Sequence, residues 1–337
     1  MKQKIKLLSL VVCAALCLAS GGCAKNEKPE SVSFQAMDTF MQLQVYGSAD
    51  TAEKIKNQIT RLDRLLSPTD ESSDIFKLNR VKKSTVDELC AEAVRKSLEE
   101  CKATGGALDV TVYPIVREWG FIGGNYKIPE KSEIDSLLKK VDCNNVQVSG
   151  NEITLKNGAE LDPGAVAKGF AADKAVETLK SSGSPPAILN LGGTVAAFGK
   201  KPGGSLWRVG VADPENSADH IGYISCSDKI VATSGSYERY FKGGDGKIYS
   251  HIIDPKSGYP VDNGIESVTI VSESGTKSDC LSTALFVMGQ NKALDYWRQN
   301  RDFDFVILTK NTALVSEGIS QSFTLSSDKY AVKEIKP

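Results

Sequence analysis

The stretch from Leu161 to Asp173, LDPGAVAKGFAAD, constrains this chain more than any other. It reads as a turn that runs straight into a helix. Asp162-Pro163-Gly164 carries turn chemistry, because proline fixes φ and glycine tolerates positive φ. From Ala165 onward the residues are small or helix-forming, with Val166, Phe170 and Ala171 on one side. Small residues at a helix entrance admit close approach, and the free N–H groups there attract anions. Lys168 falls in the first turn, where the helix dipole does not favour a cation. A cation at that end makes sense beside something negative. Taken alone, however, the stretch is more economically read as a plain loop-to-helix junction with a solvated lysine.

The N-terminus reads as a targeting segment. Lys2, Lys4 and Lys6 form a basic region, Leu7 to Ala19 an apolar one, and Ser20-Gly21-Gly22-Cys23 supplies small residues ending in cysteine. This resembles a bacterial lipoprotein signal over residues 1–22, with Cys23 as the lipidated first residue and Ser20 where leucine is usual. An ordinary cleaved signal or a short anchor helix are the alternatives. Polar residues 24–31 read as a tether. The expected location is the bacterial cell membrane, lipid-anchored and facing outside the cytoplasm. No long apolar run follows residue 23.

The chain holds 41 basic and 42 acidic residues, so its formal net charge of −1 offers no field to attract nucleic acid. Five cysteines follow the signal: Cys90, Cys101, Cys143, Cys226 and Cys280. An odd number at irregular spacing suggests neither a disulfide framework nor a zinc pattern. Cys90 and Cys101 share a predicted helix three turns apart and cannot bridge. Buried free thiols are the expectation.

Periodicity predicts a strand within 32–46 and helices over 51–66 and 84–101, the latter with Ser84 and Asp87 as a cap pair. Pro114 interrupts the apolar run after Gly105-Gly106. A short helix follows over 132–141, then a hairpin turning at Gly150-Asn151, then the helix of the central stretch to about Leu179. Strands are predicted over 187–191, 207–211, 230–233, 249–253 and 268–271. Helices follow over 276–288 and 293–297, and strands over 305–308 and 313–315. The irregular interleaving predicts an α+β fold with mixed sheets. No Rossmann fingerprint and no P-loop occurs.

The candidate chemistry is sparse. His220 lies in a polar stretch, ENSADH. His251 lies on a predicted strand beside a Pro/Gly turn, where a histidine is either packed or serves as a general base. Asp279 and Thr283 stand at i, i+4 on one helix face, with Ser282 beside them. Oxygen-only ligands with few charges suit Mg²⁺. A threonine bonding back within its helix explains the pair equally. ATSGSYERYF, residues 232–241, has the small hydroxyl residues and glycine of an anion-binding turn.

Seven segments together carry a resemblance. AMDTF (36–40), ALDVTVYP (107–114) with WGF (119–121), LDPGAVAKGFAAD (161–173), LNLGG (189–193), ATSGSYERYF (232–241), HIIDPKSGYP (251–260) and SDCLSTA (278–284) occur in the order and spacing of the ApbE family, the FAD:protein FMN transferases. The resemblance covers nearly all of residues 32–337 and implies one catalytic unit with a T-fold-like α+β architecture. It implies a Mg²⁺ site at the Ala165 carbonyl, Asp279 and Thr283, with Ser282 adjacent. It implies FAD contacts at Met37, Ala107, Leu108, Asp109, Asp162, Lys168 and Ile253, and a catalytic base at His251. Where the family often has a flavin-stacking tyrosine, this chain has Thr69, and Asp38 stands where glycine is commoner. The implied reaction moves FMN from FAD to a threonine hydroxyl of an acceptor flavoprotein and releases AMP. Subunits of membrane redox pumps are the implied kind of acceptor. Mg²⁺ and Lys168 would offset the pyrophosphate charge. An FAD pyrophosphatase and a non-catalytic flavin-binding lipoprotein are the competing readings.

Overall fold

The computed structural model describes residues 28–337. The signal segment, Cys23 and residues 24–27 of the tether lie outside the described residues. Strands β1 (Glu30–Ala36) and β2 (Thr39–Val45) form a hairpin in place of the single strand expected there. Its turn residues, Met37 and Asp38, hold φ at 51° and 57°, the left-handed backbone a two-residue hairpin turn needs. No Asn-Gly signals it, so the turn escapes a reading by composition. Helix α1 (Ala49–Leu66) buries Ile55, Ile59 and Leu62 at helical spacing. Then come α2 (Asp74–Val81), β3 (Lys83–Thr85) and α3 (Glu88–Ala103). Helix α3 starts later than Ser84, because Ser84 is taken into β3 and Asp87 alone caps, accepting from the Leu89 N–H at 3.0 Å.

Pro114 lies in the first turn of α4 (Tyr113–Glu118), where a missing N–H costs nothing. Next are α5 (Lys131–Leu138), the hairpin β4 (Val146–Ser149) and β5 (Glu152–Leu155), and α6 (Ala167–Ser181). Strands β6 (Ala187–Asn190), β7 (Thr194–Phe198), β8 (Trp207–Asp213), β9 (Asn216–Cys226) and β10 (Lys229–Gly235) follow. A ribbon of β11 (Tyr240–Lys242) and β12 (Ile248–Ser250) precedes β13 (Ile265–Ser272). The chain ends with α7 (Gly275–Met288), α8 (Gln290–Gln299), β14 (Asp304–Thr309), β15 (Thr312–Ser316), β16 (Phe323–Leu325) and β17 (Ala331–Ile335).

A nine-stranded sheet runs β1-β2-β6-β7-β10-β13-β14-β15-β17 and is antiparallel except for the parallel β15–β17 pair. Helices α1, α6 and α7 cover one face around Leu43, Phe170, Leu189 and Ala284. The three-stranded sheet β16-β9-β8 covers the other, around Trp207, Val209, Ile224 and Val231. The fold is α+β with mixed sheets. Among the described residues no helix is long and apolar enough to cross a membrane.

The cysteine expectation is corrected in one place. Cys101, in the last turn of α3, and Cys143 form a disulfide. They are 42 residues apart, and the chain reversal that joins them leaves no trace in spacing. Cys90, Cys226 and Cys280 are free and buried.

Candidate active site

The central stretch determines how two helices meet. Gly169 of α6 faces Gly275 of α7 so closely that a Cβ on Gly169 would lie 2.1 Å from the Gly275 carbonyl oxygen and 2.6 Å from Asp279 Cβ. Only two glycines permit this crossing. Asp173, one turn further along α6, receives the start of α7. Its carboxylate accepts from the N–H groups of Gly275 (2.5 Å) and Thr276 (2.9 Å) and from the Thr276 hydroxyl (2.6 Å). An anion at a helix N-terminus is stabilising there. Gly169 and Asp173 thus fix α7 in position and depth, and with it Asp279.

Asp279 in turn caps the start of α6. Gly169 is the third residue of that helix, so its N–H is one of the first four without an intrahelical acceptor. It donates to Asp279 Oδ2 at 2.8 Å. Ala165, just before the helix, lines the cavity. Asp279 is 4% exposed, and its Oδ1 is approached only distantly by the Thr194 hydroxyl, at 3.5 Å. Thr283 also lines the cavity, its hydroxyl 3.1 Å from Ser234 Oγ. A backbone carbonyl, a carboxylate with an open oxygen and a hydroxyl are hard donors and fit Mg²⁺. Ser282 does not line the cavity. Its hydroxyl donates to the Asp279 carbonyl (2.8 Å) and shares a hydrogen bond with Ser234 (2.7 Å), so it braces Asp279 from behind.

The cavity is about 1040 Å³, large enough for a dinucleotide. Met37, Thr69, Ala107, Leu108, Asp109, Asp162, Lys168, His251 and Ile253 all line it. Several are held from outside it. The Met37 N–H donates to Asp63 Oδ1 at 2.9 Å. The Asp109 carboxylate is engaged with its own backbone surroundings: Oδ1 accepts from the Thr111 N–H and hydroxyl, and Oδ2 from the Cys143 N–H at 3.0 Å. It therefore ties the wall segment to the disulfide. Asp162 bends the turn by accepting from the Gly164 N–H at 2.9 Å. Thr69 is exposed on the rim, and its N–H bonds back to Ser67 Oγ.

His251 lies just past the end of β12 and is half-buried. Its Nδ1 is 3.1 Å from the Arg239 carbonyl. A carbonyl only accepts, so Nδ1 carries the proton and Nε2 keeps its lone pair. Burial, then the nearby Arg239 and Lys168 cations, push its pKa down to about 3. In the free protein His251 is neutral throughout the physiological range. Residue-by-residue reading did not single out Glu238 and Arg239, which also line the cavity. The signal was present in the small-residue turn ATSGSYERYF that carries them. His220 and Arg208 also line the cavity; residues 216–220 of ENSADH belong to strand β9 rather than to a loop.

A profile of the ApbE family matches residues 37–307. The chain is similar to a FAD:protein FMN transferase of Haemophilus influenzae, at 28% identity over 96% of this chain and 99% of the relative. It is 30% identical to a Klebsiella pneumoniae protein of the same name, over 85% of this chain and 90% of that one. Among solved structures it resembles an ApbE protein of Thermotoga maritima, with a TM-score of 0.77 and 33% identity over 89% of this chain and 97% of that one.

Proposed function

The chain belongs to the ApbE family, and from that premise we propose that it transfers FMN from FAD to a protein hydroxyl in a Mg²⁺-dependent reaction that releases AMP. The observation that carries the reading is that Asp279, held by the Gly169 N–H through one oxygen with the other nearly open, lines one dinucleotide-sized cavity together with Ala165 and Thr283.

Ala165, Asp279 and Thr283 would hold the metal, which when bound neutralises charge on the pyrophosphate. Lys168 and Arg239 add positive charge on the same wall. The acceptor threonine oxygen bonds to the FMN phosphorus, and the bond from that phosphorus to the AMP oxygen breaks. The threonine proton passes to His251 Nε2, the ring nitrogen with the open lone pair. A base held near pKa 3 is weak. An incoming pyrophosphate places negative charge beside Arg239, Lys168 and His251, which raises the basicity of the imidazole when it is needed. Thr69, on the rim, stands at the position where the family often has its flavin-stacking tyrosine.

The acceptor is read as an exported flavoprotein with a target threonine, such as a redox-pump subunit. Anchoring through Cys23, outside the cytoplasm, is part of the same proposal. The Cys101–Cys143 disulfide supports that compartment, because such bonds persist where conditions are oxidising.

The test is intact-mass spectrometry of an acceptor domain incubated with residues 24–337, FAD and Mg²⁺, with an EDTA control and an AMP assay. A Mg²⁺-dependent FMN adduct with matching AMP is the expected result. AMP without adduct would favour hydrolysis of FAD. An Asp279→Ala protein whose magnesium titration is unchanged would remove Asp279 from the metal corner.

A further inference from the structure

The cavity wall that runs from Ala107 to Val110 is held from behind by two cysteines. Helix α3 ends two residues past Cys101, and Gly105 and Gly106, with φ at 60° and 75°, turn the chain out of it. The Cys101 carbonyl accepts the Gly106 N–H at 2.9 Å, which sets where the wall begins. Near its other end, Asp109 Oδ2 accepts the Cys143 N–H at 3.0 Å. The disulfide joins these two anchors, and both sulfurs and an Asp109 carboxylate oxygen lie within 4.8 Å of one another. Val110 passes the brace on, since its carbonyl accepts the Asp162 N–H at 2.7 Å, where the central stretch begins. Without the S–S bond the two sulfurs need van der Waals separation, and a packed interior transmits such a shift. The cysteine that moves carries the N–H that Asp109 accepts. Losing a donor to a buried carboxylate is costly, so the wall relaxes with it. Cys143 is buried, but it lies between exposed Asp142 and Asn144, which gives a small thiol a side to attack from.

We propose that Cys101 and Cys143 form a thiol–disulfide switch on the cavity: oxidised, the pair braces the Ala107–Val110 wall for FAD, and reduced by a dithiol it slackens that wall. The switch rests on the reading of the cavity as an FAD site. One thiolate of the dithiol bonds to Cys143 Sγ and the S–S bond breaks, leaving Cys101 as a thiolate that takes up a proton. The second thiol of the reductant then attacks its own sulfur in that mixed disulfide and releases Cys143 as a thiol. The reductant leaves as a cyclic disulfide, and two electrons and two protons have reached the pair. A chain still in a reducing compartment thus keeps a slack wall, and oxidation precedes FAD loading. The coupling is reciprocal. If FAD binds the oxidised form tenfold more tightly, it stabilises the disulfide tenfold, about 30 mV in midpoint potential.

The test compares oxidised and dithiothreitol-reduced protein of residues 24–337, with the state of the pair read by intact mass after alkylation in denaturant. FAD affinity is measured by flavin fluorescence. Oxidised protein that binds no FAD would overturn the FAD reading, and the switch with it. Given binding, reduction is expected to weaken FAD affinity at least tenfold, and reoxidation to restore it. The midpoint potential of the pair, measured in dithiothreitol redox buffers, should fall by about 30 mV for each tenfold when FAD saturates the protein. Asp109→Asn removes the Oδ2 acceptor, so it should bind FAD more weakly when oxidised and no longer respond to reduction. The Cys101→Ala, Cys143→Ala double variant should match reduced wild type. Should it fold poorly, reduced wild type carries the test alone. Equal FAD affinity in the two states, a midpoint that FAD does not move, a full response to reduction in Asp109→Asn, or reduced protein that has unfolded by circular dichroism would each overturn the switch.

Discussion

Gly169→Ala is the sharpest single test of how the site is built. The added Cβ would stand 2.1 Å from the Gly275 carbonyl oxygen and 2.6 Å from Asp279 Cβ. Reaching ordinary contact requires α6 and α7 to part by about 1 Å or more. Both neighbours are backbone or backbone-proximal, so no flexible side chain can yield. Overpacking of this kind costs about 1–3 kcal/mol, which lowers the melting temperature by several degrees in a chain this size. The functional effect should exceed the stability effect. Parting the helices draws Asp279 Oδ2 away from the Gly169 N–H, now 2.8 Å distant. The carboxylate is then displaced at the cavity wall. A misplacement near 1 Å costs transfer about 100-fold, and Mg²⁺ affinity should fall by a similar order. Calorimetric Mg²⁺ titration with FAD present, thermal melting and transfer rate measure the three effects. Gly244→Ala is the control, since a Cβ there meets nothing within 4 Å. A Gly169→Ala protein with wild-type magnesium affinity would refute the proposal that the helix crossing positions Asp279 as a metal ligand.

Asp173→Ala leaves four donors at the start of α7 without their acceptor, from Ser274, Gly275 and Thr276. A loss of about 1–3 kcal/mol in chemical denaturation is expected, together with weaker transfer through displaced Asp279. His251→Gln should keep FAD binding and abolish transfer; wild-type transfer rates would exclude His251 as the base. The same variant gives a stability test with a definite sign. The folded His251 pKa is near 3 against an unfolded value of 6.5, so below pH 6.5 only the unfolded chain takes up the proton. Wild type should therefore lose stability relative to His251→Gln as pH falls from 7 towards 4, and a difference that is flat with pH would show that the ring is not held neutral. Cys101→Ser opens a 42-residue loop and should lower stability by about 4 kcal/mol if unfolded-chain entropy dominates. Because Cys143 also anchors Asp109, FAD affinity should fall with it, whereas unchanged affinity would separate the disulfide from the cavity wall.

What could be read in advance divides along a physical line. Helices α1, α6 and α7 and the hairpin at Gly150-Asn151 follow from periodicity and turn chemistry, which are local properties. The hairpin at Met37-Asp38 and the strand through His220 do not, because residues with poor local preference are held there by sheet pairing. The disulfide depends on a contact between residues 42 apart. The candidate site shows the same division. His251, Lys168 and the Asp279/Thr283 pair stand out by residue type, but nothing in their spacing says that they share one wall. Gly169 and Asp173 seemed mere helix residues in the sequence. In the fold they are the joint: the glycine lets the helices touch, the aspartate sets the register of α7, and Asp279 then accepts the Gly169 N–H. The central stretch is therefore more than a ligand-binding loop. Its first half faces the cavity and its second half positions the helix that completes the cavity. A substitution in the buried second half should thus displace Asp279 although none of residues 169–173 lines the cavity.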